Sequence, residues 1–255
     1  MGRCLPLAIA SLVAALATTP AAAEGPLEVE RQTFGSDDLW RVVSYLCVPS
    51  AAIGLPLPCA EVKGAGANGI ALLAVSDNHI LTIPTRRISG IESPELQRPN
   101  LPNYWQAAWD ARRLISAGEA LRLDRSQIGV ALNSARDRSQ DQLHFHTGCL
   151  GRTARTLIGS LPPDPGGGWR RVAKPLFGGR YRIRWIAGED LSATDVFGLL
   201  EPSLRASPAA MGRQTLVVAG VRLPGGTPGF AVLNAQGARP GEAHGENLLD
   251  FSCRS

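Results

Sequence analysis

The sequence predicts an α+β domain: an antiparallel sheet with packed helices. Two apolar hairpins, one early and one late in the chain, predict the antiparallel pairing. A capped helix after the first hairpin and a shorter helical stretch before the second predict the packed layer. Hairpins followed by helices do not give the strict strand–helix alternation of a doubly wound parallel sheet.

Taken in order, the chain opens "MGRCLPLAIASLVAALATTPAAAEGP", with Arg3 before an apolar run from Leu5 to Leu16 and then Ala21, Ala22 and Ala23. This is the layout of a secretory signal with cleavage after Ala23. Ser11, Thr18, Thr19 and Pro20 interrupt it, so it falls short of the roughly 20 apolar residues that span a bilayer comfortably. An uncleaved anchor is the alternative. Residues 24–255 are read as one domain.

"NGIALLAV" and "HILTIP", joined by Ser76, Asp77 and Asn78, form the first hairpin over residues 69–84. "GIESPELQRPNLPN" is a loop because of its prolines. Asn103 then offers an N-cap, with Gln106 three residues on, for a helix carrying Trp105, Ala108, Trp109, Arg112 and Ile115 and ending at Gly118. "SQIGVALN" is the next strand, the polar stretch Ser134–Asp141 a loop, and "QLHFHT" another strand. Beyond the loop "LPPDPGGGW" come the strand "RYRIRWI", a weak helix after Ser192, and the second hairpin, "QTLVVAGVRLPGGTPGFAVLNA". That hairpin faintly echoes the first, as an internal duplication would.

Lys and Arg number 26 against 22 Asp and Glu, a net charge of +4. This suits an anionic ligand or a membrane surface. The basic residues never form a dense run, so nucleic acid is not expected as a partner. Outside the signal the cysteines are Cys47, Cys59, Cys149 and Cys253, an even set in an exported chain, which reads as two disulfides. Four cysteines permit three pairings; Cys47 with Cys59 across a Pro-rich loop, and Cys149 with Cys253, are favoured. Their spacing fits no common zinc motif.

The chemistry concentrates in "NSARDRSQDQLHFHTGC", Asn133 to Cys149. On a strand, alternate side chains share a face, so Gln142, His144 and His146 point one way and Leu143 and Phe145 point into the core. Two imidazoles in register can bind a metal, grip phosphate oxygens, or supply a nitrogen nucleophile beside a polarising neighbour. A metal would need further ligands. His79 lies at the turn of the first hairpin and His244 in a Gly-rich tail, and nothing in the sequence brings either to the pair, so no metal site is expected.

"AEVKGAGANGIALL", "IPTRRISGIESPEL", "ALNSARDRSQDQLHFHTGC" and the flanking "CVPS" and "PCAEV" resemble the CDP-diacylglycerol pyrophosphatases, a bacterial branch of the histidine-triad superfamily. The resemblance runs from about Cys47 to Cys149 and more thinly to Cys253. It implies a HIT-like fold and an envelope enzyme that hydrolyses CDP-diacylglycerol to CMP and phosphatidate. It further implies a periplasmic location at the inner membrane of a Gram-negative bacterium, peripheral membrane contact, a nucleotidyl-histidine intermediate and no cofactor. Residue by residue, the triad positions become Gln142, His144 and His146, with His144 the nucleophile and Gln142 orienting it by hydrogen bonding. Registered one pair later, from Gln140, His146 attacks and Gly148 fills the third position. His144 is preferred, because the later register leaves no side chain at that position. Asn133 and Gln140 resemble ligand-contacting residues of the superfamily, and Arg136 and Arg138 are candidate phosphate contacts.

Two further clusters are ambiguous. Arg180, Arg182 and Arg184 make one face of "RYRIRW" basic, which fits a charged edge strand better than a lipid-headgroup surface. Tyr104 and Trp105 fit the core better than an acyl-chain entrance. The rivals to this activity are a histidine-triad hydrolase or transferase acting on another nucleotide, and a lipid or nucleotide binding protein without turnover.

Overall fold

The computed structural model describes residues 35–64, 66–115 and 123–254; the predicted signal and Gly118 lie outside them. Among the described residues the strands are β1 Glu61–Lys63, β2 Ile70–Ser76, β3 His79–Pro84, β4 Ile128–Leu132 and β5 Phe145–Leu150. They continue as β6 Arg170–Arg171, β7 Tyr181–Ala187, β8 Gln214–Arg222, β9 Pro228–Gln236 and β10 Leu249–Asp250. They join in one sheet of spatial order β1-β2-β3-β5-β4-β8-β9-β7-β6, with β10 paired to the far end of β5. Every ladder is antiparallel. Both predicted hairpins form, as β2–β3 and β8–β9, one on each side of the central β5–β4 pair.

The helix Tyr104–Asp110 starts where its cap predicts: Asn103 Oδ1 accepts from the Gln106 backbone N–H at 3.0 Å. The Gln106 side chain does not return to close a capping box. It accepts from Leu191 N–H and donates to Asp110 instead. Trp105 packs edge-on against Phe145 of β5 at 4.9 Å, and Trp109 against Phe230 of β9 at 4.9 Å, so this helix covers one face of the sheet centre. Tyr104 and Trp105 are core residues, and both also line a cavity of about 600 Å³ with Leu96, Leu101 and Phe197.

The opposite face carries two apolar layers. A continuous helical run, α at Asp38–Arg41, π at Val42–Cys47 and α at Val48–Ala51, packs Leu39, Val43 and Cys47 on Ala71, Leu81 and Ile83 of β2 and β3. The helix Arg152–Ser160 and the C-terminal segment cover Ala131, Val217 and Leu233 of β4, β8 and β9. In the register of the central strands, His146 stands opposite Leu81 on one side and Ala131 on the other. The histidine strip is therefore the seam between the two layers.

Three expectations need correction. The ladder of β5 begins at Phe145, so Gln142 and His144 precede the strand while keeping its alternation. "RYRIRW" is not an edge strand: β7 pairs with β9 along its length and with the two-residue β6 on its other side. Of its arginines, Arg182 is drawn into local pairs with Glu201 and Asn234. The helix after Ser192 is a 3-10 turn, Phe197–Leu199, and two single-turn helices, Pro202–Arg205 and Pro208–Met211, each with Pro at its first position. No helix among the described residues is long and apolar enough to cross a membrane.

Cys47 bonds Cys59 and Cys149 bonds Cys253, the favoured pairing, with Cα atoms 5.5 and 5.3 Å apart. The first spans 12 residues and the second 104, and a longer closed loop constrains the unfolded chain more. Thiol titration of the unfolded, unreduced protein should find no reactive thiol among these four. Replacing Cys149 and Cys253 by serine should lower unfolding free energy by about 4 kcal/mol, and replacing Cys47 and Cys59 by about 3 kcal/mol, read by denaturant titration. Equal or reversed losses would show that loop length does not set the difference.

Candidate active site

His144 and His146 are nearly fully buried, with ring centroids 4.8 Å apart and planes at 68°. Leu143 and Phe145, which alternate with them along the chain, enter the opposite core, so the alternation read from the sequence holds. The next residue on the histidine face is Gly148, where a Cβ would lie 2.8 Å from the Phe251 ring. Phe251 occupies the room a third side chain of the motif would need, and it stacks on His79 at 3.7 Å.

His144 Nδ1 lies 2.6 Å from the backbone carbonyl oxygen of Gln142. A carbonyl only accepts, so Nδ1 carries the proton and Nε2 the lone pair. Burial first, and then His146, push the His144 pKa down to about 3, so the ring is neutral at physiological pH. Gln142 orients His144 through its main chain. Its own amide turns away, donating to the carbonyls of Pro84 and Arg86 at 3.0 and 2.8 Å and accepting from Ile88 N–H at 3.3 Å.

His146 is held at both nitrogens. Nδ1 meets His79 Nε2 at 2.9 Å, and Nε2 is 2.6 Å from Glu246 Oε1. The latter approach is off the ring N–H direction, which makes it an ionic contact rather than an aligned hydrogen bond. Glu246 Oε1 also accepts from Asn133 Nδ2 at 3.0 Å, and Oε2 lies 3.6 Å from His244. Burial raises the Glu246 pKa, but His146 and His244 outweigh it and hold the carboxyl well below the usual range. The Glu246 carboxylate beside His244 raises the pKa of that ring, outweighing burial. Burial, and then His146, lower that of His79 to about 4.

Nothing in the sequence brings His79 or His244 to the pair; the fold sets His79 on His146 and His244 on Glu246. His79 begins β3, which pairs with β5, and His244 precedes a 3-10 turn, Gly245–Leu248, that lies over the sheet. Glu246 on that turn was not foreseen. An acidic residue two positions after a histidine was the available signal, and it is too common to single out. Even so, among the described residues no group of three or more His, Cys, Asp or Glu is arranged to hold a metal ion.

The candidate binding residues divide. Asn133 and Arg138 line a crevice with Gly90, Leu132, Gln142 and His144 that is too tight, as it stands, to admit a water molecule. Asn133 also anchors the turn, its Oδ1 accepting from Gly245 N–H at 2.9 Å. Arg138 is braced by Glu92 at 2.7 Å and Asp141 at 2.8 Å and lies against Gly90, where a Cβ would meet its guanidinium. Gln140 and Arg136 point elsewhere. Gln140 accepts from the Leu39 backbone N–H, and Arg136 donates to the Ala238 carbonyl.

A family model described as CDP-diacylglycerol pyrophosphatase matches residues 34–255, which include every residue of this site. The chain belongs to that family. It is 33% identical over 222 residues to the CDP-diacylglycerol pyrophosphatase of Yersinia pestis, covering 86% of this chain and 84% of that one. It is 26% identical over 250 residues to those of Mycobacterium bovis (strain BCG / Pasteur 1173P2) and Mycobacterium tuberculosis (strain ATCC 25177 / H37Ra), covering 98% of this chain and 95% of each relative. The family match adds the C-terminal segment bearing Glu246, where the motif resemblance is thin.

The depressed histidine pKa values make stability fall in acid. The unfolded histidines take up protons below about 6.5, whereas folded His144 resists protonation until about pH 3. The stabilisation is thus fully present above about pH 6.5 and declines as pH drops. From about pH 6.5 to about pH 4.5, His144 should account for a loss of about 2 kcal/mol. Urea unfolding at about pH 7 and about pH 4.5 should show a smaller acid loss in His144→Gln than in wild type, by about that amount. Equal losses would mean that the ring is not held neutral by the fold.

Proposed function

We propose that the chain hydrolyses CDP-diacylglycerol to CMP and phosphatidate, with His144 as nucleophile, on a HIT-like fold in the periplasm of a Gram-negative bacterium. The observation that carries the reading is the state of His144: a buried neutral ring, with Nδ1 committed to the Gln142 carbonyl, beside the crevice that Asn133 and Arg138 line. A leaving N-terminal signal and two disulfides suit an oxidising envelope compartment. The hairpins flanking β5 and β4 are the arrangement that an internal duplication would leave.

In the first step His144 Nε2 attacks the phosphorus that carries the cytidine. An N–P bond forms and the P–O bond to the bridging oxygen breaks, that oxygen leaving with phosphatidate. In the second, water attacks the same phosphorus, the N–P bond breaks, and CMP leaves while His144 regains its lone pair. Charge on the non-bridging oxygens needs donors in both steps. His146 and His244 supply them, and Glu246 between the two favours the protonated form of His244 and holds both rings in place. Arg138, buttressed by Glu92 and Asp141, adds a fixed positive charge at the crevice. The register with His146 as nucleophile is less suited, since a carboxylate facing its Nε2 calls for a proton at that nitrogen rather than a lone pair. No step is routed through a metal.

His144→Ala should abolish turnover and labelling. His146→Ala should lose about 10² to 10³ in rate, as for a lost transition-state donor, while still allowing slow label transfer. The check is to quench enzyme turning over substrate labelled in the cytidylyl group, avoiding acid, and to map the modified peptide by mass spectrometry. Label on His146 would reassign the nucleophile; turnover with no label on either would favour direct attack by water. Activity should survive exhaustive chelation, and loss restored by one divalent ion would bring in a metal. Glu246→Gln removes the contact that raises the His244 pKa, so the alkaline limb of the rate profile should move to lower pH. An unmoved limb would take His244 out of the mechanism.

A further inference from the structure

From Val42 to Ala60 the chain has no Asp, Glu, Lys or Arg, yet much of this stretch is on the surface. Tyr45, Leu46, Ile53, Leu55 and Leu57 are five of the seven large apolar side chains exposed among the described residues, Ile53 at 77% and Tyr45 at 73%. Single exposed apolar residues are ordinary; a cluster on an uncharged segment marks an interaction surface.

The segment is a braced knob rather than a loose loop. Cys47–Cys59 closes it, and its inner side, Val43 with the two cysteines, is fixed on β2 and β3. Several of its backbone N–H groups are satisfied within the knob. Those of Ile53, Gly54 and Leu55 donate to the carbonyls of Ser50, Ala51 and Ser50, that of Leu57 donates to Leu55, and the Ser50 hydroxyl reaches the carbonyls of Leu46 and Leu57. A braced surface that presents apolar tips suits the boundary of a hydrocarbon layer, where unpaired polar groups are costly.

Its rim is cationic. Glu61 serves both Lys63, at 3.0 Å, and Arg113, so three charges sum to +1 beside the knob. The Arg41 side chain is 67% exposed, against 32% for its partner Asp38. The base of the knob also adjoins the site: its layer contains Leu81, which stands opposite His146 across the β3–β5 ladder.

We infer that the disulfide-closed knob Tyr45–Leu57 docks the enzyme on the interfacial zone of an anionic phospholipid bilayer, beside the histidine seam. This rests on the proposed function. A lipid with two long acyl chains stays in its bilayer, since drawing each methylene into water is unfavourable and the chains have many, so the catalytic face must come to the membrane. The knob is the apolar projection on the flank of that face, and its basic rim matches anionic headgroups.

The test compares the full chain with Ile53→Glu/Leu55→Glu, and with Val75→Glu/Phe177→Glu as a control at exposed apolar positions outside the knob. Each is measured for flotation with phosphatidylglycerol–phosphatidylethanolamine vesicles. Each is also measured for turnover of CDP-diacylglycerol in those vesicles and of a short-chain, water-soluble analogue. The knob variant should lose at least tenfold in vesicle binding and in vesicle-borne turnover while keeping short-chain turnover within about twofold, and the control should match wild type. A knob variant that binds vesicles and turns over their substrate like wild type overturns the docking surface. So does equal loss in the control, or a wild-type dimer that the knob variant alone dissociates without changing vesicle binding. If wild type turns over neither substrate, the functional reading fails, while the flotation difference still decides the docking surface.

Discussion

The contact between Glu246 and His146 sets the condition under which the histidine face can be closed. A carboxylate withdrawn from water is destabilising by several kcal/mol unless it is paired and hydrogen-bonded. Here two imidazoles and the Asn133 amide surround it. The parts of the molecule that hold this arrangement come from distant stretches of chain. Asn133 directly follows β4 and ties down the turn bearing Glu246, while β10 pairs with β5 and Cys253 bonds Cys149. Phe251 then covers His79 and the position above Gly148. The last part of the chain, after β9, is thus a closure over the strand that bears the motif.

That closure explains why His144 and His146 differ although they share a face. His144 lies beyond the end of the β5 ladder, with a carbonyl at one nitrogen and the crevice beside it, and burial keeps it neutral. His146 sits inside the ladder between His79 and the carboxylate. One strand therefore carries, side by side, a ring with a free lone pair and a ring whose nitrogens both face polar neighbours, the pairing that the proposed two-step chemistry uses.

The seam between two apolar layers is equally consequential. Packing on the histidine face is continuous except along the central strip, because the N-terminal helical run covers β2 and β3 and the Arg152–Ser160 helix covers β4, β8 and β9. Chemistry occupies the interval where neither layer reaches. The N-terminal layer also carries its uncharged, disulfide-closed projection on that side of the sheet, so site and apolar surface belong to one structural unit.

The sequence by itself determined what depends on neighbours along the chain. Alternation in Gln142–His146, the Asn103 cap, both hairpins and the turn residues between them were legible, because strand period, capping and turn chemistry act over a few residues. The cysteine pairing was one of three open choices, settled when the fold brought Cys149 to Cys253. Only the tertiary structure decided the rest of the site. His79 and Glu246 reach His146 across gaps of 67 and 100 positions, by strand pairing for the first and closure of the C-terminal segment for the second, which also sets His244 against Glu246. It also sent Gln140 and Arg136 to backbone groups elsewhere, though both flank the motif in sequence. Nearness along a chain fixes the direction of a side chain on a strand, but which buried charge meets which partner is fixed by how the strands are ordered in the sheet and what is folded over them.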